Sequence, residues 1–294
     1  MDRFGLNAIE AWNAREQRRY ETIAVKPIAH TIGAEVRGAD LRDVSEAQLA
    51  EIRQALADHL VLVFRDQTLD QAQHKAFGRQ FGELHCHPMN LARGDANPEI
   101  LEIKADKASK YVAGEGWHSD VTCDAEPPMG SLLYITEMPE AGVGGDTLFA
   151  NMYLAYDLLS DPMKAMLQGL TAIHDGAIPY QGSYKAKPPE GGFPRSEHPV
   201  VTRHPVTGRK VLFVNPGFTS HIVQLSRHES KAVLDMLYRV IEVTPALVCR
   251  MPWTPNSLVF WDNRCTQHHS VWDYYPFNRY GQRVTVLGER PEAA

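Results

Sequence analysis

The β-type runs of this chain constrain its architecture more than any other feature. They fall at residues 60–64, 131–136, 198–204, 210–214, 246–250, 257–262 and 283–287, crowded into the middle and C-terminal parts. They do not alternate with helices as a doubly wound parallel sheet requires. Pro205-Val206-Thr207-Gly208 separates two of them as a hairpin turn. The pattern predicts a mainly β domain, a sandwich or jelly roll with helices packed outside. Those helices are marked by their caps. Ser45-x-x-Gln48 precedes Leu49, Ile52, Leu56 and Leu60 at helical spacing, and Thr68-x-x-Gln71 precedes Phe77 and Phe81, with Gly82 as a stop. Ser160 with Pro162 opens a third helix, and Ser226-x-x-Glu229 a fourth that buries Val233, Leu234, Leu237 and Ile241. No repeat, linker or low-complexity tract divides residues 1–294, so one domain is expected.

Composition excludes several classes of protein. A hydrophobic fraction of 44% over 294 residues excludes disorder, and a net charge of -6 argues against nucleic acid or a membrane surface as partner. The apolar run Leu60–Phe64 is far short of the roughly 20 residues that cross a bilayer. Cys86, Cys123, Cys249 and Cys265 form no C-x-x-C pair and read as free thiols, and the N-terminus lacks the apolar core of a signal peptide. A cytoplasmic protein is the expectation. Residues 175–197 hold four glycines, four prolines and three aromatics without periodicity, the composition of a functional loop such as a lid. His59 and His74 fall within predicted helices and read as polar-face residues.

The residues that can carry chemistry are few. In Trp117-His118-Ser119-Asp120, a strand would point His118 and Asp120 the same way, toward one metal. Taken alone that means little, because chance supplies an H-x-D in a chain with 13 histidines and 17 aspartates. Trp261-Asp262-Asn263-Arg264-Cys265-Thr266-Gln267-His268 adds a further histidine, and 2-His-1-carboxylate is the ligand set of non-heme Fe(II) oxygenases. Arg279 and Arg283, four apart on a strand-like stretch, supply guanidinium donors for an anion, and Thr147 follows a tight Gly144-Gly145 turn with a hydroxyl. A zinc hydrolase could use the same three ligands but has no need of the Arg279–Thr147 anchor. A jelly-roll protein that binds a small anion without turnover is the non-enzymatic alternative.

In order along the chain, IGAEVRGADL, FGELHCHP, WHSDVT, GGDTLFAN, GRKVLFVNPGFTSHIV and WDNRCTQH resemble blocks of the taurine dioxygenase family of Fe(II)- and 2-oxoglutarate-dependent oxygenases. The likeness runs from about residue 22 onward, leaving residues 1–21 as an N-terminal extension. It implies a double-stranded β-helix (jelly-roll, cupin-like) core with flanking helices. It also implies Fe(II) as metal, 2-oxoglutarate and O2 as cosubstrates, and succinate and CO2 as products. By the same resemblance His118, Asp120 and His268 are the iron ligands, the T-Q-H spacing selecting His268 over His269. Arg279 then binds the distal carboxylate of 2-oxoglutarate with Thr147 beside it. His87 and Arg283 match positions that hold a sulfonate, and Phe218 is a candidate pocket wall. Asn90 stands where a taurine-specific member has tyrosine, and Gly114 where it has asparagine, which argues against taurine itself. The expected substrate is a small organic anion of sulfonate or alkyl sulfate type, whose hydroxylation can lead to C–S or C–O cleavage. An aryloxyalkanoate is the alternative. Assembly as a homo-oligomer, dimer or tetramer, is the family-based expectation.

Overall fold

The computed structural model describes residues 3–16, 18–86 and 96–294. In chain order the strands are β1 (Ala24–Pro27), β2 (Ala34–Arg37), β3 (Val61–Phe64), β4 (Leu101–Ala105), β5 (Gly130–Glu137), β6 (Thr147–Asn151), β7 (Thr171–Asp175) and β8 (Arg195–Pro199). They continue with β9 (Val201–Arg203), β10 (Lys210–Leu212), β11 (Thr219–Ile222), β12 (Val248–Met251), β13 (Ser257–Asp262), β14 (Thr266–Ser270), β15 (Arg279–Val286) and β16 (Glu292–Ala293). The helices are α1 (Arg3–Asn13), α2 (Glu46–His59), α3 (Gln71–Arg79), α4 (Met152–Asp157), α5 (Asp161–Leu167) and α6 (Arg227–Val243).

A seven-stranded sheet, in the order β1-β2-β3-β13-β5-β15-β4, forms one wall, and a smaller β12-β6-β14 sheet belongs to the other. Every pairing in the large sheet is antiparallel except β2 with β3. The sequence explains the layering. On β3, β5 and β13 the two faces are both apolar, as befits strands buried on both sides. Val61, Val63, Leu133, Ile135, Val259 and Trp261 share one core with Phe149 and Ala150 of β6 and Cys249 and Met251 of β12. The alternate residues, Leu62, Phe64, Leu132, Tyr134, Leu258 and Phe260, pack against Ile52, Ala55 and Leu56 of α2 and Phe77 of α3. The site described below lies on the inner side, where β15 and β5 meet β14.

Two capping boxes occur at the expected positions, at Ser45/Gln48 and Ser226/Glu229, and Ser160 caps α5. The α3 cap differs. Asp70 and Gln73 form its capping box, two residues beyond the Thr68 expectation, because the carboxylate reaches the Gln73 amide at 2.8 Å. Of the four apolar residues expected to be buried on α6, Leu234, Leu237 and Ile241 are, and Val233 is only partly so. The hairpin at 205–208 joins β9 to β10.

Several strands were not anticipated: β1, β2, β4, β6, β7, β11 and β14 are four or five residues long, and most mix polar with apolar positions. The expected run 198–204 is divided at Val200 into β8 and β9, and 283–287 is the end of a longer strand that starts at Arg279. The N-terminal extension contains α1, whose Trp12 is buried in the core and lies beneath the Arg15 and Arg209 guanidinium groups. His74 is not on a polar face. Helix α3 turns it into the sheet, where its Nε2 meets the Leu132 carbonyl at 3.2 Å.

Candidate metal centre and anion anchors

Strand β14 carries His268, its backbone fixed opposite Phe149 of β6. On the free side of β14, His118 forms an isolated bridge, with His118 N donating to His268 O at 3.1 Å and His268 N donating to His118 O at 2.8 Å. This pairing brings the two imidazoles together, with ring centroids 4.1 Å apart and the ring planes tilted by 47°. Asp120 is not on a strand with His118, as the spacing suggested. It begins a turn, and Asn263 clamps it there. The Asn263 Oδ1 accepts the Asp120 amide at 2.7 Å, while Nδ2 donates to the Asp120 carbonyl at 2.9 Å and to Pro128 O at 3.1 Å.

The result is a cluster of ligand atoms. Asp120 Oδ1 lies 3.8 Å from His118 Nε2 and 3.8 Å from His268 Nε2. The second carboxylate oxygen accepts from Ser131 Oγ of β5 at 2.8 Å. His118 Nδ1 faces the Gly116 carbonyl at 2.9 Å, which fixes the tautomer so that the Nε2 lone pair faces the cluster. Burial lowers the pKa of His118 and pushes that of His268 well down, the neighbouring His118 adding to the latter. Burial would raise the Asp120 pKa, but Arg283, His268 and His118 outweigh it and hold the carboxyl well below the usual range. Two neutral imidazoles and one carboxylate are the donor set of a divalent metal. His269 faces away along the alternating strand, its Nδ1 against the Ser270 carbonyl. Trp261 packs on His268 with centroids 4.9 Å apart, and Trp117 packs edge-on against His269.

A second cluster of ligand-type side chains among the described residues, His204, Asp262 and Cys265, is closed by internal bonds. His204 Nε2 donates to Asp262 Oδ2 at 3.0 Å, Nδ1 accepts the Val206 and Thr207 amides, and Arg264 doubly engages the same carboxylate. Both ring nitrogens of His204 and the Asp262 carboxylate are thus already engaged.

The two arginines of β15 serve different places. Arg283 Nη1 donates to Asp120 Oδ1 at 2.7 Å, so this guanidinium reaches the His118–Asp120–His268 cluster itself, and its buried Nε has no acceptor among the described residues. Arg279 is 2% exposed and lies over Trp253, 5.5 Å from the ring centroid, with Tyr274 beside it. Its Nε and Nη2 have no acceptor among the described residues, and burial lowers its pKa. A buried guanidinium with open donors is chemically suited to receive an anion. Thr147, seated after Gly144 and Gly145 at φ of 115° and 88°, accepts from Trp253 Nε1 at 3.0 Å, leaving its own hydroxyl proton to donate. Trp253 thus links Thr147 to Arg279, a connection that no sequence block announced.

Phe218 is buried, with the Tyr180 ring 6.2 Å away, and its neighbour Gly217 lies so close to His118 that an added Cβ would stand 2.6 Å from the histidine Cβ. The 175–197 segment is largely irregular, as its composition suggested, with two local features. A π-helical turn spans Ile178–Ser183, and the Gly114 amide donates to the Tyr184 hydroxyl at 3.0 Å. His87 and Asn90 lie outside the described residues. Sequence reasoning missed Ser131, Asn263, Trp253 and Tyr180. Asn263 stood inside one of the motif blocks, and Ser131 carried no signal at the start of a mostly apolar strand.

A double-stranded β-helix with two histidines and an aspartate converging between its sheets defines the class of non-heme, 2-oxoglutarate-dependent dioxygenases. The chain belongs to the family described as taurine catabolism dioxygenase TauD, TfdA, whose model matches residues 24–285. It is 35% identical over 286 residues to an alpha-ketoglutarate-dependent sulfonate dioxygenase of Saccharomyces cerevisiae, covering 92% of this chain and 68% of that protein. It is 32% identical to an (S)-phenoxypropionate/alpha-ketoglutarate-dioxygenase of Sphingobium herbicidovorans, covering 85% and 90%. A solved taurine dioxygenase from Burkholderia xenovorans superposes with a TM-score of 0.80 at 36% identity, covering 93% of this chain and 92% of that one. The chain is thus an oxidoreductase that uses 2-oxoglutarate and O2. None of its described helices is long and apolar enough to cross a membrane.

Proposed function

We propose that the protein is an Fe(II)- and 2-oxoglutarate-dependent dioxygenase that hydroxylates a small organic anion of sulfonate or alkyl sulfate type. The observation that carries the reading is the conjunction, in one site, of three converging ligand atoms with a buried arginine whose donors are open. His118, Asp120 and His268 would hold the metal. When bound, Fe(II) supplies the redox chemistry that couples decarboxylation of 2-oxoglutarate by O2 to oxidation of a substrate C–H bond. The protein's own part is binding and orientation. Arg279 offers Nε and Nη2 to the distal carboxylate of 2-oxoglutarate, and the Thr147 hydroxyl donates to the same group while Trp253 holds both in place.

Arg283 is the proposed anchor for the substrate's anionic group, because its Nη1 fixes Asp120 and its Nε meets no acceptor among the described residues. Phe218 and Tyr180 would form an apolar wall for the remainder of the substrate, with residues 175–197 acting as a lid that excludes water. Relatives described as an alkylsulfatase of Acinetobacter baylyi, 31% identical, and an alpha-ketoglutarate-dependent sulfate ester dioxygenase of Pseudomonas putida, 32% identical, support the sulfate-type substrate. The phenoxypropionate relative keeps an aryloxyalkanoate as the second reading. The test is succinate formation by purified protein with Fe(II), ascorbate and 2-oxoglutarate over sulfonates, alkyl sulfates and aryloxy acids. Stimulation by an alkyl sulfate or sulfonate is expected; stimulation only by aryloxy acids favours the second reading, and none at all opposes both.

A further inference from the structure

The residue after the aspartate ligand is strained. Val121 has φ of 49°, a left-handed conformation that is a genuine outlier for a β-branched side chain. Such strain persists only where the surroundings over-determine it, and it clusters at functional sites. Here the surroundings are explicit. On the N-terminal side Asn263 clamps both backbone groups of Asp120. On the C-terminal side the next residue, Thr122, is fully buried, and its hydroxyl meets His174 Nδ1 at 2.9 Å and accepts from Asn215 Nδ2 at 3.1 Å. Asn215 is itself locked. Its amide donates to Thr219 Oγ1 at 2.9 Å, and its Oδ1 accepts the Phe218 amide at 2.9 Å. The same turn carries Gly217, which packs against the other ligand, His118.

We propose that Thr122, His174 and Asn215 are positioning residues that brace Val121 in its left-handed conformation and so keep Asp120 turned toward His118 and His268. The inference rests on the assignment of Asp120 as a metal ligand. These residues touch neither metal nor substrate; they act through the turn. The strained φ reverses the chain immediately after Asp120, so relaxation of Val121 to an ordinary conformation would swing the carboxylate away from the imidazoles. Glycine at this position would adopt the same φ without strain and would no longer need the brace.

The test is a double-substitution cycle read by Mn(II) binding, with free Mn(II) followed by electron paramagnetic resonance, and with thermal unfolding of each protein. Thr122→Val keeps the shape and removes the hydroxyl. It is expected to weaken Mn(II) binding about tenfold, in the range of outer partners of metal ligands, whereas Thr122→Ser retains wild-type affinity. In a Val121→Gly background the same Thr122→Val change is expected to cost less than about threefold, a coupling that independent sites would not show. Equal losses in the two backgrounds, or no loss in either, overturn the brace while leaving the metal site intact. Wild-type protein that binds no Mn(II) overturns both. A Thr122→Val protein that folds only when combined with Val121→Gly supports the proposal, and one that folds in neither background overturns it.

Discussion

Replacing Arg279 by methionine should make the protein more stable and yet unable to respond to 2-oxoglutarate. The guanidinium is 2% exposed, and its Nε and Nη2 have no acceptor among the described residues. A buried donor left unsatisfied costs about 1–3 kcal/mol. Methionine keeps the length and apolar packing of the stem beside Trp253 and removes both donors and the charge. The net gain expected is about 2 kcal/mol, a rise in Tm of about 3 °C for a chain of this size. The gain reverses with ligand. In wild-type protein loaded with Mn(II), 2-oxoglutarate at 100 times its Kd should add about 2.7 kcal/mol of stability. Loss of a buried charged contact costs about 2–5 kcal/mol of binding, so at the same concentration the variant should gain almost nothing. The assay is thermal unfolding of both proteins with and without 2-oxoglutarate. A variant whose Tm falls by several degrees in the absence of 2-oxoglutarate, or which 2-oxoglutarate still stabilises as it does wild type, would refute the claim that Arg279 is an anion site.

Other consequences are more local. His118→Ala removes one of three ligands and should abolish measurable Mn(II) binding by calorimetry while leaving the far-UV circular dichroism unchanged; retained binding would sink the ligand assignment. Ser131→Ala removes the donor to Asp120 Oδ2 and should weaken Mn(II) binding about tenfold or more, as outer partners of ligands do; unaltered affinity would show that Asn263 and Arg283 orient Asp120 without it. Acid should destabilise the fold through His74, whose pKa burial lowers from 6.5 to about 4. Unfolded chains take up a proton at this histidine below about pH 6.5 and the folded protein does not. Stability is therefore full above pH 6.5 and is lost as pH falls toward 4, by about 3 kcal/mol from this group. Urea unfolding of His74→Gln between pH 7 and 4 should show a correspondingly shallower loss, and an unchanged slope would mean that another group carries the effect.

The parts of the fold legible in the sequence were those in which local pattern and tertiary demand coincide. Val61–Phe64 and the 258–261 stretch of β13 are buried on both faces, so their apolarity is continuous and unmistakable. Ser45 and Ser226 cap helices by a purely local hydrogen bond. The short strands β1 and β2 escaped because four residues with mixed polarity carry no period, and their pairing is decided by β3 rather than by themselves. His74 misled for the same reason: its helix looked polar there, but the carbonyl that receives it, Leu132, is 58 residues away. At the site, the motif blocks pointed to His118, Asp120 and His268 together, and the structure brings them together by a geometry that the sequence did not reveal. Asp120 reaches the cluster through a strained turn held by Asn263 and Thr122, and neither contact is local. Trp253 remained invisible because it lies between motifs, and only the pairing of β12 with β6 carries it to Thr147.

The central claim, that this site splits O2 between 2-oxoglutarate and an organic anion, is tested most directly by running the reaction under oxygen-18 gas with a stimulating sulfonate or alkyl sulfate. Mass spectrometry of the succinate should find one oxygen atom derived from the gas, with succinate formed in step with oxidised substrate. Succinate without the label, or substrate cleavage with oxygen taken from water and no succinate, would contradict the account and return the three ligands to a hydrolytic metal.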